Sequence, residues 1–135
     1  MTPVDPCPIA DRQVCLATRD LARAVLRRLS VTAAGIEPRI KTIVATRTDG
    51  PVGYDLWRLH GSDGQLLLRF DLLKGPGVEW VKLAADVSLL ARLADLRNHP
   101  PGYYYVHPLP DRRDIAIPLP SNPRGLAPRG LGPLQ

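Results

Sequence analysis

The dipeptide Asp63-Gly64 stands between two runs of alternating apolar and polar residues, 54-YDLWRLH-60 and 65-QLLLRFD-71. A two-residue turn of type I′ needs positive φ at both central positions, which Asp-Gly tolerates well. The chain is therefore predicted to form a β-hairpin here. The turn sets the cross-strand register, which pairs Ser62 with Gln65, Leu59 with Leu68 and Trp57 with Phe70.

This register gives the hairpin one apolar and one charged face. The apolar pairs form a predicted core cluster, and the same alternation turns Asp55 toward it. The opposite face carries Arg58, His60, Arg69 and Asp71. A slip of one residue would bury those charges, so the register is expected to be firm.

The remaining periodicity predicts two helices and several further strands. Helix 18–30 begins with Thr18 as its N-cap and has a buried stripe of Leu21, Val25 and Leu29 with Ala22 and Leu26 beside it. The second helix runs from an N-cap at Asp86 to about Asn98 and ends before two prolines. The predicted strands outside the hairpin are 13–17, 39–48, 78–84, 103–107 and 114–119.

This order predicts an α+β fold in a single domain, with two helices packed on one face of a mostly antiparallel sheet. A ferredoxin-like split β-α-β variant with an extra hairpin fits it, and a plainer α+β meander is the alternative. Residues 1–11 are interpreted as an N-terminal arm, 12–119 as the domain and 120–135 as a Pro/Gly-rich tail.

Charge and cysteine content narrow the possible partners and compartment. The net charge of +5 favours acidic partners such as nucleic acid. Cys7 and Cys15 match no metal motif, and two unpaired thiols in a reducing cytoplasm are expected, although a bridge between them stays open. No signal-peptide pattern or membrane-length apolar run is seen, so a cytoplasmic protein that does not contact membrane is predicted.

The best functional hypothesis is a small, basic, non-catalytic module that binds RNA or single-stranded DNA. A basic open sheet face carrying a few rings can hold a single strand, and an arginine stripe on a helix can contact phosphates. Against this, antiparallel sheets commonly place ordinary polar residues on their solvated face. The predicted binding residues are Arg39, Lys41, Arg47, Tyr54, Arg58, His60 and Arg69 on the sheet, and Arg19, Arg23 and Arg27 on the first helix.

The alternative hypothesis is a protein-interaction or inhibitor module. It would use an edge strand at 103–107 and the tail, by strand addition or extended-peptide docking. An acidic protein is the alternative partner for the arginine stripe of the first helix. A homodimer through an edge strand is a further possibility.

A third hypothesis is a small metal-independent ribonuclease. The stretch 103-YYYVH-107 places Tyr103, Tyr105 and His107 on one strand face, with Arg112 in the following turn. Histidine could transfer the proton and arginine stabilise the anion. A half-buried edge strand is the preferred interpretation of the same residues, because Pro108 and Pro110 lack N–H donors. No phosphate loop, nucleophile elbow or metal-ligand spacing is present, and no cofactor or metal is predicted.

Overall fold

A computed structural model gives the fold of residues 9–48, 53–94, 104–110 and 113–120, with side chains from residue 12 onward. Helix α1 (Ile9–Ile36) precedes strands β1 (Thr42–Arg47), β2 (Tyr54–His60) and β3 (Leu66–Arg69). A short 3-10 turn (Val78–Trp80) leads into helix α2 (Val81–Ala94), and strands β4 (His107–Pro108) and β5 (Asp114–Pro118) follow. The five strands form one antiparallel sheet in the order β3-β2-β1-β5-β4, which confirms the α+β class.

Both helices contribute to a single core on one face of the sheet. We call this face the inner face and the opposite one the outer face. The buried residues of α1 are Ala22, Val25, Leu26, Leu29 and Ala33, and those of α2 in the same cluster are Leu83, Val87, Leu90, Ala91 and Ala94. The sheet adds Ile43, Ala45, Leu56, Leu59, Ile115 and Ile117. Burial of these apolar stripes is the main force that holds helices to sheet.

Helix α1 is longer than predicted and replaces the first predicted strand. Residues 13–17 lie within α1, so that strand is wrong and the ferredoxin-like arrangement is not confirmed. Thr18 is no N-cap, because its hydroxyl donates to the carbonyl of Val14, 2.8 Å away, as threonine does inside a helix. Leu21 is exposed, whereas the rest of the predicted stripe is buried.

Helix α2 starts earlier than predicted and includes part of the segment expected to be strand 78–84. Trp80, Leu83, Val87 and Leu90 are buried at helical spacing, which outweighs the apparent alternation of that segment. Asp86 is therefore inside the helix and does not cap it. Its carboxylate accepts from Arg28 of α1, with Nη2–Oδ1 at 2.6 Å and Nε–Oδ2 at 3.0 Å, and this ion pair joins the two helices.

The β2–β3 hairpin keeps most of its predicted register through two offsetting irregularities. Gly61 N–H donates to Gln65 O at 2.9 Å and Gly64 has φ +79°, so the loop holds three residues and the predicted type I′ turn is wrong. A second irregularity, between Leu59 and His60 in the ladder, restores the register. Leu59 opposes Leu68 as predicted, and Phe70 N–H donates to Trp57 O at 2.8 Å.

A bulge in β2 corrects the predicted core cluster. Val44 opposes Arg58 but Ala45 opposes Leu56, so Trp57 is the extra residue on β2. Trp57 consequently lies on the outer face with Asp55, which removes the expected burial of that carboxylate. Phe70 instead packs edge-to-face on Trp80, with ring centroids 5.4 Å apart.

The β4–β5 hairpin confirms one prediction and shortens another. Residues 114–118 pair with β4 as the predicted partner strand, but β4 itself covers only two residues. Tyr104 and Val106 are buried, as the alternation indicates, whereas Tyr105 has φ +71° and interrupts the expected strand. Two prolines that cannot donate to a ladder explain why the strand stops early.

Some predictions fall outside the described residues, namely those on 1–8, Tyr103, Arg112, the end of the second helix and 121–135. Cys15 forms a disulfide bond, so the expectation of unpaired thiols is wrong. That expectation rested on core size and compartment, neither of which determines the distance between two sulfurs. The chain's other cysteine, Cys7, lies outside the described part. Neither helix, over its described residues, is long and apolar enough to cross a membrane.

Candidate functional site

The outer face of the sheet is organised in rows that the strand register defines. The central row contains Arg69, Arg58, Val44, Ala116 and His107, one residue from each strand. One neighbouring row holds Leu66, His60, Thr42 and Pro118, and the other holds Asp55, Thr46 and Asp114. Of the predicted sheet residues, Arg58, His60 and Arg69 therefore lie together on this face.

The other predicted sheet residues are engaged elsewhere. Arg39 forms two side-chain hydrogen bonds to Glu37, each 3.0 Å long, and this pair lowers the pKa of Glu37 to about 2. Arg47 sits over the ring of Tyr54 at 5.9 Å and donates to its hydroxyl at 3.4 Å, at the far end of β1 and β2. Lys41 is exposed just before β1, where its main chain bonds to both neighbouring strands.

The arginines of α1 form a second, separate basic surface. Arg19 and Arg27 are exposed, and Arg23 donates to the Tyr105 hydroxyl at 3.4 Å, a bond that raises the pKa of Arg23. Because α1 covers the inner face, these side chains lie on the helix side of the sheet. The predicted binding set is therefore divided between opposite sides of the molecule.

The outer face carries mixed charge and one stacked ring. Asp55 and the buried Asp114 flank Thr46 and offset the arginines. The guanidinium of Arg58 lies 4.1 Å from the Trp57 ring centroid, a cation–π contact that holds it against the sheet. The Nε atom of Arg58 is buried and has no hydrogen-bond partner in the part of the chain that the structure describes.

Two of the four residues predicted for RNA cleavage, Tyr103 and Arg112, lie outside the described residues, and the structure describes His107 and Tyr105. His107 is exposed on the outer face, whereas the Tyr105 hydroxyl is bound by Arg23 on the helix side. His60, with Nδ1 3.0 Å from Gly64 O, is separated from β4 by β1 and β5. Three strand spacings amount to roughly 14 Å, too far for a shared proton transfer.

A shallow concavity of about 410 Å³ opens at one end of the outer face. Its walls combine two carboxylates, two arginines, two threonines and two apolar side chains, from Asp55, Asp114, Arg47, Arg113, Thr46, Thr48, Trp57 and Leu72. Such mixed charge selects no single ligand class. Within the described segments, no group of three or more His, Cys, Asp or Glu side chains is placed to hold a metal ion.

The feature that sequence reasoning missed is a series of exposed apolar residues in β3 and in the segment that follows it, with Leu66 on the outer face and Leu68 on the inner face. We call it the β3 edge surface, and it consists of Leu66, Leu68, Leu72, Leu73, Val78 and Val81. Leu73 is 98% exposed and Val78 is 90% exposed. The signal was available in 66-LLLRFDLL-73, which holds more apolar residues than one strand face can bury.

The two edges of the sheet differ in how well they are protected. Among the described residues, strand β3 pairs only with β2, so one side of its backbone has no strand partner from this part of the chain. At the other edge, β4 is two residues long and includes Pro108, which has no N–H to offer. Short strands and prolines are common ways to protect an edge. Strand β3 is thus the more open of the two edges.

Comparison with protein-family profiles, curated proteins and solved structures finds no match to this chain.

Proposed function

We propose that this protein is an interaction module that binds another protein along β3. The observation that carries the proposal is that Leu66 and Leu68 are exposed on an edge strand that has one strand partner among the described residues, with further exposed apolar residues following in the chain. Exposed apolar side chains on a protein surface can mark an interaction site. An open edge adds main-chain donors and acceptors, which an extended segment can use by adding a strand.

This proposal keeps the predicted protein-interaction module, but it assigns binding to β3 and not to the predicted edge strand at 103–107. The expected edge at 103–107 is reduced to the two residues of β4, and the tail contributes nothing to the argument because 121–135 lie outside the described residues. Strand β3 is four residues long against two in β4, and it contains exposed apolar residues, Leu66 and Leu68, that β4 does not. A homodimer through β3 is a competing outcome of the same geometry.

Site-specific photo-crosslinking tests the proposal. A photoreactive residue is placed at Leu73, and a matched control at Val31, which is 55% exposed on α1. Both positions are exposed, so neither change is expected to alter stability by more than about 0.5 kcal/mol. We expect Leu73 to capture a defined protein in the native cell and Val31 not to. The same products from both positions would contradict the proposal.

The second candidate function is binding of RNA or single-stranded DNA through α1. It is favoured by Arg19, Arg23 and Arg27, which follow one side of the helix with Arg19 and Arg27 exposed. If phosphates are the ligand, affinity for an oligonucleotide falls steeply between about 50 and about 200 mM salt. Arg27→Glu should weaken binding more than Arg69→Glu does. Equal loss from both variants would contradict the assignment to α1.

No hydrolytic activity is proposed, because no described residue completes an acid–base pair with His107. The proposed location is cytoplasmic, which rests on the sequence. The disulfide at Cys15 instead favours an oxidising compartment, since cytosolic thiols are kept reduced. Thiol alkylation in intact cells decides between them: a Cys15 that reacts supports the cytoplasm, and a protected Cys15 contradicts it.

A further inference from the structure

Two arginines lie side by side where the outer face meets the β3 edge surface. Arg58 of β2 and Arg69 of β3 are directly opposite in the ladder, so their Cβ atoms are about 5 Å apart. Like charges in this arrangement are destabilising. Among the described residues, neither arginine forms an ion pair with a carboxylate.

The nearby acidic groups do not relieve this repulsion. Asp71, two residues beyond Arg69, accepts from the main-chain N–H of Leu73 at 2.9 Å and caps the turn after β3. Asp55 lies in a different row, opposite Thr46. The two arginines therefore present an unneutralised positive pair at the border of the open edge.

Arg58 is held in place while Arg69 stays accessible. The guanidinium carbon of Arg58 lies 4.1 Å from the centroid of the Trp57 ring, and the buried Nε of Arg58 has no acceptor among the described residues. Arg69 is exposed on the edge strand itself. A guanidinium matches a carboxylate with two parallel hydrogen bonds, so an incoming carboxylate is the natural partner for this pair.

We propose that the partner of β3 is an extended, acidic segment of another protein. It adds along β3 so that an Asp or Glu side chain stands opposite Arg69 on the outer face and an apolar side chain stands near Leu66. The register supplies the geometry, because residues opposite one another on adjacent strands share a face. This inference rests on the proposed function and specifies the chemistry of the partner.

A polypeptide fits this surface better than a nucleic acid does. The side of the β3 backbone that no described strand pairs with is complementary to another main chain, and the exposed leucines favour apolar side chains. A second copy of this chain fits less well. The strand sequence Leu-Leu-Leu-Arg contains no carboxylate, so self-pairing would leave Arg69 without an acid from the partner strand. The net charge of +5 also opposes self-association.

Selection from a displayed library of random ten-residue peptides tests the inference. The library is selected on the full-length protein, on Arg69→Glu and on Arg27→Glu, which makes the same charge change on α1. Amide shifts in NMR spectra then map where the selected peptides bind. We expect peptides rich in Asp or Glu plus apolar residues to shift Leu66–Arg69. We expect the acid enrichment to vanish with Arg69→Glu, because the introduced carboxylate would pair with Arg58, and to persist with Arg27→Glu.

The outcomes separate this inference from the proposed function. Binding of acidic peptides to β3 that weakens roughly fivefold in Arg69→Ala supports the inference. Peptides that map to β3 without acid enrichment overturn it and leave the proposed function standing. Peptides that never map to β3 overturn both. Self-association that Leu68→Asp abolishes, or β3 shifts caused by an oligonucleotide, would overturn the assignment to an acidic protein segment.

Discussion

At the scale of single residues, local pairing determines which charges are available to a ligand. Arg39 was expected on a binding face, yet its guanidinium donates two hydrogen bonds to Glu37, two residues away. Arg28 donates to Asp86 and so links α1 to α2. Arg69 neither stacks nor pairs with any described residue, and it is exposed at the edge. The charged residues that matter for binding are therefore those with no partner in the fold, and sequence position alone does not identify them.

The pKa of Glu37 is predicted to depend on Arg39. Arg39 lowers it from 4.5 to about 2, so the ionised pair stabilises the fold above the unfolded pKa, and that contribution is lost as pH falls toward 2. Arg39→Gln should raise the Glu37 pKa toward its ordinary value in an NMR pH titration. Lys41→Gln is the control and should leave it unchanged. A Glu37 pKa unaffected by Arg39→Gln would contradict the pairing.

The ion pair between the helices is predicted to respond asymmetrically to substitution. Arg28 is mostly exposed, whereas the Asp86 carboxylate is buried. Arg28→Ala leaves a buried charge without its partner, but Asp86→Ala leaves a solvated arginine. Chemical denaturation should therefore show the larger loss of unfolding free energy for Arg28→Ala. The reverse order would show that Asp86 is not buried as described.

At the scale of elements, the bulge in β2 decides which side chains reach the core. Leu56 is fully buried and Trp57 is displaced to the outer face. Leu56→Ala should cost about 2–5 kcal/mol of unfolding free energy, and Trp57→Ala less than about 1.5 kcal/mol despite the larger ring. Denaturant titration of both variants measures this. A greater loss of unfolding free energy for Trp57→Ala than for Leu56→Ala would indicate that Trp57 lies in the core. That result would contradict the bulge.

Regular periodicity was predictable, and irregularities in it were not. The β2–β3 hairpin, β1, β5, the inward Tyr104 and two helices on one face all follow from spacing and turn chemistry. No residue type in the sequence marks the bulge at Trp57, because it is defined by how β2 pairs with its neighbouring strands. Residues 13–17 were predicted to be a strand but belong to α1, because a short apolar run is compatible with either a strand or a helix. The Arg28–Asp86 pair joins positions far apart in the chain, which no local pattern reveals.

At the scale of the whole molecule, the net charge is distributed over two sides of the sheet. The arginines of α1 lie on the helix side, and Arg58 and Arg69 lie on the outer side near β3. The expected continuous basic face is interrupted by Asp55 and Asp114. Of the exposed large apolar residues in the described part of the chain, six lie in or after β3 and four lie on α1. Those near β3 carry the functional proposal because they accompany an edge strand of the sheet.

Amide hydrogen exchange along β3, with and without a peptide selected from the random library, tests this account most directly. The account predicts that the N–H groups of Leu66–Arg69 that point away from β2 exchange more slowly when the peptide is bound, because they gain a strand partner. The amides of α1 should be unaffected. Protection confined to α1, with β3 unchanged, would contradict the claim that β3 is the binding edge.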